Sequence, residues 1–286
     1  MDISFLLIQL LNGIQTGLLL FLIASGLTLV FGIMGIINLA HGAMYMIGAY
    51  LCYALVSWTG NLLLAIVLGI PVMLLLGIVI ERFLVGYLYD RDHLLQVLLT
   101  FGLILIFNEM QRIIWGNDVH GVPVPAMFSG SIALTDTLSY PVYRLVVSAV
   151  CLVLALAMYW IIQKTRIGMI IRAGASNRDM VDALGIDIRT LFTLIFAAGV
   201  ALSSFAGMIA APLSSVYPGM GDGILIICFV VVVIGGIGSI KGAFFGAMLV
   251  GLVSTFGPVL VPALASVMVY LVMALVLLWR PRGLFA

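Results

Sequence analysis

Charge is the scarcest thing in this chain. Only 8% of its 286 residues are Asp, Glu, Lys or Arg, against about 25% in an ordinary soluble domain. A soluble protein of this size cannot cover its surface with so few charges, so an aqueous globular class is excluded. The formal net charge of +1 leaves no electrostatic footprint for nucleic acid, and no such partner is expected. Cysteine is nearly missing as well. Cys52, Cys151 and Cys228 each sit alone in an apolar run, without CxxC or Cys/His spacing, which excludes a disulfide framework and a zinc-type cluster. His41, His93 and His120 lie in three separate segments without local partners. There is no GxSxG, no HExxH, no pair of carboxylates and no phosphate-binding loop with its lysine. The chain cannot hydrolyse a nucleotide by itself, and no catalytic residue, metal or cofactor is expected.

What fills the sequence is apolar: 64% of residues are hydrophobic. In a bilayer such side chains need no polar cover, and roughly 20 of them in a helix cross the hydrocarbon core. Charges and turn residues divide the chain into nine apolar runs, at about 9–32, 38–57, 62–81, 94–114, 142–163, 190–210, 224–240, 242–258 and 263–279. The expected fold is an all-α integral membrane bundle of about 8–9 transmembrane helices with glycine-rich broken segments, forming a single membrane domain over residues 1–286. The glycine-rich junctions between runs 1 and 2 and runs 7 and 8 leave room for one re-entrant segment. Met1-Asp2-Ile3-Ser4 lacks the basic region of a cleaved signal peptide, so the first run reads as a retained span.

Basic residues accumulate on the cytoplasmic side of membrane proteins. With the N-terminus outside, the inside receives Arg82, Arg91, Lys164, Arg166, Arg172, Arg178, Arg189, Lys241, Arg280 and Arg282. Only Arg112 and Arg144, of the 12 basic residues, fall outside. The expected orientation is therefore N-terminus outside and C-terminus cytoplasmic. One real loop lies outside, Trp115 to Pro141 with Asp118 and Asp136, and one inside, Lys164 to Arg189.

Ionisable residues are missing from the middles of eight of the nine runs, the exception being Glu109. A charge at a helix centre costs about 2.5–3.5 kcal/mol on the insertion scale and is kept mainly for function. Arg112, three residues on, shares a helix face with Glu109, which makes the pair an interfacial ion pair rather than a coupling carboxylate. Proton coupling is thereby disfavoured.

Glycine patterning is more informative. Gly32-Ile-Met-Gly35-Ile-Ile-Asn38-Leu-Ala-His41-Gly42-Ala43 sets three glycines, an amide and an imidazole between two apolar runs. Gly235-Gly236-Ile-Gly238-Ser239-Ile-Lys241-Gly242-Ala243 repeats the theme later. Such interruptions in two halves of a chain point to broken helices around a translocation route, or equally to close helix packing by small residues. Gly35, Asn38, His41, Gly42, Gly235, Gly236, Gly238 and Ser239 are the candidate pathway or gate residues. Asn38 and His41 are expected to face a helix, a cavity or the interface rather than lipid. Gly13, Gly17, Gly26 and Gly246 are read as packing residues.

In the inner loop, Ser176-Asn177-Arg178-Asp179 fits a capping box, with Ser176 at the N-cap and Asp179 at the third helical position. Gly185 stands where such a helix ends. Met180, Val181 and Leu184 form an apolar stripe beside Arg178 and Asp182. A helix this short is marginal alone in water, so the stripe is expected to dock into a groove of a partner or to rest on the membrane's inner face.

The run from Gly32 to Gly42 resembles the first signature of the branched-chain amino acid permease family of ABC importers (the LivH type). Arg172 to Ile186 is similar to that family's cytoplasmic coupling loop, Gly235 to Ala243 to its late glycine signature, and Trp279-Arg-Pro-Arg-Gly-Leu-Phe285 to its usual ending. The matches keep the family's order, while 115–141 carries none. The resemblance implies a non-enzymatic permease in a bacterial inner membrane. Its partners would be a second homologous permease subunit, two cytoplasmic ATP-binding cassette ATPases and an extracytoplasmic solute-binding protein. The segment Ser176, Arg178, Asp179, Met180, Val181, Asp182, Leu184 and Gly185 would be the helix that couples to the ATPase. Members with this look carry branched-chain amino acids, urea, short amides or aromatic acids, and the residues do not choose among them. Two other classes stay open at this point: a stand-alone ion-coupled secondary transporter, and a membrane-embedded enzyme or assembly subunit.

Overall fold

The computed structural model describes residues 3–89, 91–135 and 138–285. Every apolar run contains a helix. The elements are α1 (Ile3–Leu29), α2 (His41–Thr59), α3 (Leu62–Phe83), α4 (His93–Trp115), α5 (Val142–Lys164), α6 (Arg166–Ser176), α7 (Arg178–Ala183), α8 (Ile188–Ala210), α9 (Met220–Gly235), α10 (Ile240–Leu260) and α11 (Met268–Trp279). A two-stranded antiparallel hairpin, β1 (Ser131–Thr135) and β2 (Leu138–Pro141), stands in the loop between α4 and α5. Asp136, expected in that loop, lies outside the described residues.

Six helices among the described residues are long and apolar enough to cross a membrane: Ser4–Met34, Leu62–Leu88, His93–Trp115, Val142–Lys164, Ile188–Ala210 and Ile240–Leu260. The helix α2 is less apolar, while α9 and α11 have 16 and 12 residues. At about 1.5 Å per residue these two are shorter than the roughly 30 Å hydrocarbon core. The protein is thus an all-α, multi-pass membrane protein.

Two layers organise the bundle. The inner one is made of α1, α2, α8 and α9, whose side chains are buried over most of their length. Around it stand α3, α4, α5, α10 and α11, which turn exposed Leu, Val and Ile outward. Glycine sets how closely the two layers meet. A Cβ on Gly13 would come within 2.8 Å of Leu252, and one on Gly17 within 2.9 Å of Met248. These are packing glycines between α1 and α10, as their scattered spacing implies. Without a hydrophobic drive between helices in lipid, such close approach supplies the dispersion energy that holds a bundle together.

Candidate functional site

The first helix does not end cleanly. It passes into a π-helical turn, Val30–Met34, which closes on Gly35 at φ 68°, where the Gly35 N–H donates to the Phe31 carbonyl at 3.0 Å. A left-handed φ of this kind is open to glycine at little cost. Residues 35–40 are non-helical, and α2 begins at His41. This is the broken segment that the glycines foretell, and a π-turn inside a helix is a frequent mark of a functional position.

The break lies inside the bundle. His41 is fully buried, and its Nε2 lies 2.8 Å from the Ile23 carbonyl of α1. Its backbone carbonyl accepts from the Ser203 hydroxyl of α8 at 3.0 Å. A Cβ on Gly26 would meet His41 Cε1 at 2.9 Å and the Gly199 carbonyl at 2.8 Å, so the imidazole sits beside the middle of α8. The Thr100 hydroxyl of α4 lies 3.3 Å from the Ile37 carbonyl.

Asn38 is also 0% exposed, and neither atom of its amide has a hydrogen-bond partner among the described residues. The same holds for His41 Nδ1 and the Thr28 hydroxyl. Each buried, unpaired polar group costs on the order of 1–3 kcal/mol. Native structures retain few of them, and each calls for a reason other than stability.

The two glycine clusters meet. Gly32 packs against Gly238, and Gly42 against Gly221 of α9, where a Cβ would also lie 2.8 Å from Leu225. Gly235 faces Gly242 across the turn that joins α9 to α10. Within that turn Gly236 and Gly238 take φ of 101° and 79°, and the Ser239 hydroxyl caps α10 by accepting from the Gly242 N–H at 3.1 Å. The C-terminal tail returns to the same place. Leu284 and Phe285 N–H groups donate to the Ile234 and Gly235 carbonyls at 2.9 and 3.1 Å, which satisfies the end of α9. The cluster glycines, like the scattered ones, therefore hold backbones in contact.

The inner loop differs from the expected single short helix. An amphipathic α6 precedes it, capped by the Thr165 hydroxyl, and α6 uses Ser176 as its own last residue. The N-cap of α7 is Asn177, whose Oδ1 accepts from the Met180 N–H at 3.0 Å. The capping box assigned to Ser176 is thus corrected by one position, because the preceding helix consumes that residue. The side chains of Arg178 and Asp179 lie outside the described set. The C-terminus of α7 follows expectation: Gly185, at φ 79°, donates to the Asp182 carbonyl and Ile186 to that of Val181, a Schellman arrangement.

The apolar stripe splits by role. Val181 is 2% exposed and anchors α7 to the protein, whereas Met180 and Leu184 are 58% and 72% exposed. Behind α7, α6 rests on the π-turn and α8, with Gly174 facing Leu191 and Ile33. The surface helix and the buried break are therefore joined through α6. Asp187 caps α8, and hydrogen bonds from the Thr190 hydroxyl and backbone hold its carboxyl below the usual range.

Glu81 was not legible in the sequence. It closes α3, is buried, and takes hydrogen bonds from the Tyr89 hydroxyl and, at 2.5 Å, from the Thr193 hydroxyl of α8. Attention to span middles passes over it; a lone carboxylate in the last turn of an apolar run was the available signal. Glu109 and Arg112 form the expected exposed pair, at 3.6 Å.

A family model described as "Branched-chain amino acid transport system / permease component" matches residues 9–277. The chain is 29% identical to the high-affinity branched-chain amino acid transport system permease protein BraD of Pseudomonas aeruginosa, over 96% of its own length and 94% of the relative's. The identity and both shares are the same with the high-affinity permease protein LivH of Escherichia coli K12. No solved structure matches the chain significantly.

Proposed function

We propose, on the premise that the chain belongs to the branched-chain amino acid transport system permease family, that it is the membrane-spanning subunit of an ATP-driven importer of amino acids or a related small polar solute. One observation carries the reading. A helix break bearing two fully buried polar residues, Asn38 and His41, is linked through α6 to a surface helix whose Met180 and Leu184 are largely exposed. A route that must open and close needs a break of this kind, and an engine outside the membrane needs a handle.

In this mechanism the substrate arrives from an extracytoplasmic binding protein and enters between this subunit and a second, homologous permease. One of two cytoplasmic ATPases seats α7, with Met180 and Leu184 in an apolar groove and Asp182 at its rim. Their closure moves α7, and α6 moves with it because the two helices pack against each other. The π-turn shifts with α6, and the segment from Gly35 to Gly42 changes its fit against α8 and α9. Asn38 and His41, short of partners in the closed bundle, then meet solute or its water, which lowers the cost of the open state. Gly235, Gly236, Gly238 and Ser239 form the opposing border through the Gly32 contact. An interior with so few charges suits a zwitterion or a neutral solute that is handed on rather than held.

Nine crossings, with α2, α9 and α11 among them, an outer N-terminus and an inner C-terminus complete the reading in a bacterial inner membrane. The short α9 and the non-helical 35–40 would share the bilayer with their neighbours, which tolerates irregular backbone only where protein covers it. The test is uptake into vesicles holding the purified protein. Leucine accumulation that requires ATP, candidate ATPases and binding protein supports the reading. Accumulation by the permease alone under a sodium or proton gradient supports a secondary transporter instead and overturns it.

A further inference from the structure

Between α5 and α10 a slot opens on the outer surface of the bundle. It has a volume of about 260 Å³ and is almost entirely apolar, with Phe21 at its floor and Leu152, Leu156, Phe244 and Phe245 along its sides. Leu152, Leu156 and Phe245 are exposed in the way of lipid-facing residues. At one end the slot runs into a second, polar cavity of about 420 Å³, and Tyr159, Ile240 and Lys241 belong to both. Gln163, Arg172, Gly238, Ser239 and Phe285 of the tail line the polar part.

The wall shared by the two cavities holds a cation. Lys241 Nζ lies 5.8 Å from the centroid of the Tyr159 ring. Arg172 donates one guanidinium N–H to the Ile162 carbonyl of α5, and neither Arg172 nor Lys241 has a carboxylate within ion-pair distance among the described residues. Both side chains are exposed, and they stand where α5 ends in Lys164 and α10 begins, at the interfacial end of the slot.

We infer that this double cavity is a binding site for one anionic phospholipid. An acyl chain fills the apolar slot, and the phosphate and its headgroup sit between Lys241 and Arg172. A second protein helix would fill the slot but leave both cations unpaired, and a zwitterionic lipid would bring its own ammonium beside them. Basic pockets between membrane helices recognise anionic headgroups on this ground. Binding does not require the proposed orientation, which decides only that the leaflet is the inner one, and it does not require transport.

The full-length protein, purified in mild detergent, is titrated with phosphatidylglycerol or phosphatidylcholine of equal chain length and the bound lipid counted by native mass spectrometry. Phosphatidylglycerol should be retained in preference. Lys241→Gln and Arg172→Gln should each weaken it about fivefold, and Lys241→Arg should preserve it. Leu156→Trp, which fills the slot without touching the cations, should weaken both lipids. Melting temperatures of the variants identify any that fail to fold, and Lys241→Arg serves as the folded control. Equal retention of the two lipids, or retention unchanged in the Lys241→Gln Arg172→Gln double variant, overturns the inference. Displacement by millimolar inorganic phosphate alone would reduce it to a phosphate site. Exclusion of lipid from the slot in complexes that contain a second permease would make the cleft a subunit interface and overturn it as well.

Discussion

At the residue scale, stability and transport pull in opposite directions. Asn38, fully buried, has no partner for either end of its amide among the described residues. Leucine has a similar volume and nothing to satisfy, so Asn38→Leu should raise the thermal stability of the protein, by an amount on the order of 1 kcal/mol, while uptake falls. Melting curves and transport by the same preparation check both halves. Lower stability together with full uptake would mean that Asn38 is structural after all. Gly42 is the opposite case. Its neighbour is the Gly221 backbone, which cannot step aside. Gly42→Leu should therefore lower the yield of folded protein, and Gly42→Ala should do so less. Size-exclusion profiles of the two variants give the measure. Both residues belong to one sequence motif, yet only their surroundings separate a packing role from a polar one.

At the element scale, α7 offers a clean division because its stripe has an inner and an outer part. Leu184 is largely exposed, so Leu184→Asp should leave the permease folded and weaken ATPase association or uncouple hydrolysis from uptake. An unpaired charge forced into an apolar groove costs on the order of 2 kcal/mol or more. Val181→Asp, by contrast, places the charge inside the permease and should loosen the α6–α7 hairpin itself, read as faster amide exchange there. If Leu184→Asp leaves both association and uptake untouched, α7 is not the handle. Capping gives a finer check. Asn177→Ala should cost about 1 kcal/mol of helix stability, and Ser176→Ala much less. The cap of α8 responds to pH. The Asp187 carboxyl is held below its ordinary range by the hydrogen bonds of Thr190. Its contribution is present above that range and lost as pH falls through the lowered value. Amide protection at the start of α8 should decline on acidification in the wild type and stay flat in Asp187→Asn.

For the whole molecule, the crossings and their direction are what remain to be measured. Cys52, Cys151 and Cys228 are all buried, so a background without them needs only small replacements. Ser176→Cys in that background should react with an impermeant maleimide in inverted vesicles and not in intact cells. Labelling from outside would reverse the proposed orientation. Met180→Cys, more than half exposed on α7, should crosslink to an ATPase rather than to the second permease. These measurements bear on the assembly, and neither depends on which solute is carried.

The sequence by itself determined the membrane class, the apolar helices and the break between the first two. Those depend on local chemistry: the bilayer demands length and apolarity, charges and glycines end the runs, and positive φ at Gly35 and Gly185 selects the residue that tolerates it. The proposed orientation rests on the distribution of basic residues alone. Only the tertiary structure decided which glycine meets which. Gly32 with Gly238 and Gly42 with Gly221 are separated by some two hundred residues of chain, and nothing local ties them. Sequence separation also hid the bond of Glu81 to Thr193, 112 residues on, and the solitude of Asn38, since a partner or its lack is a property of the neighbours. Ser176 lost its cap to Asn177 for a related reason. Ser and Asn are equally good N-cap residues, and which of the two opens α7 is settled by how far α6 extends as it packs against the π-turn and α8.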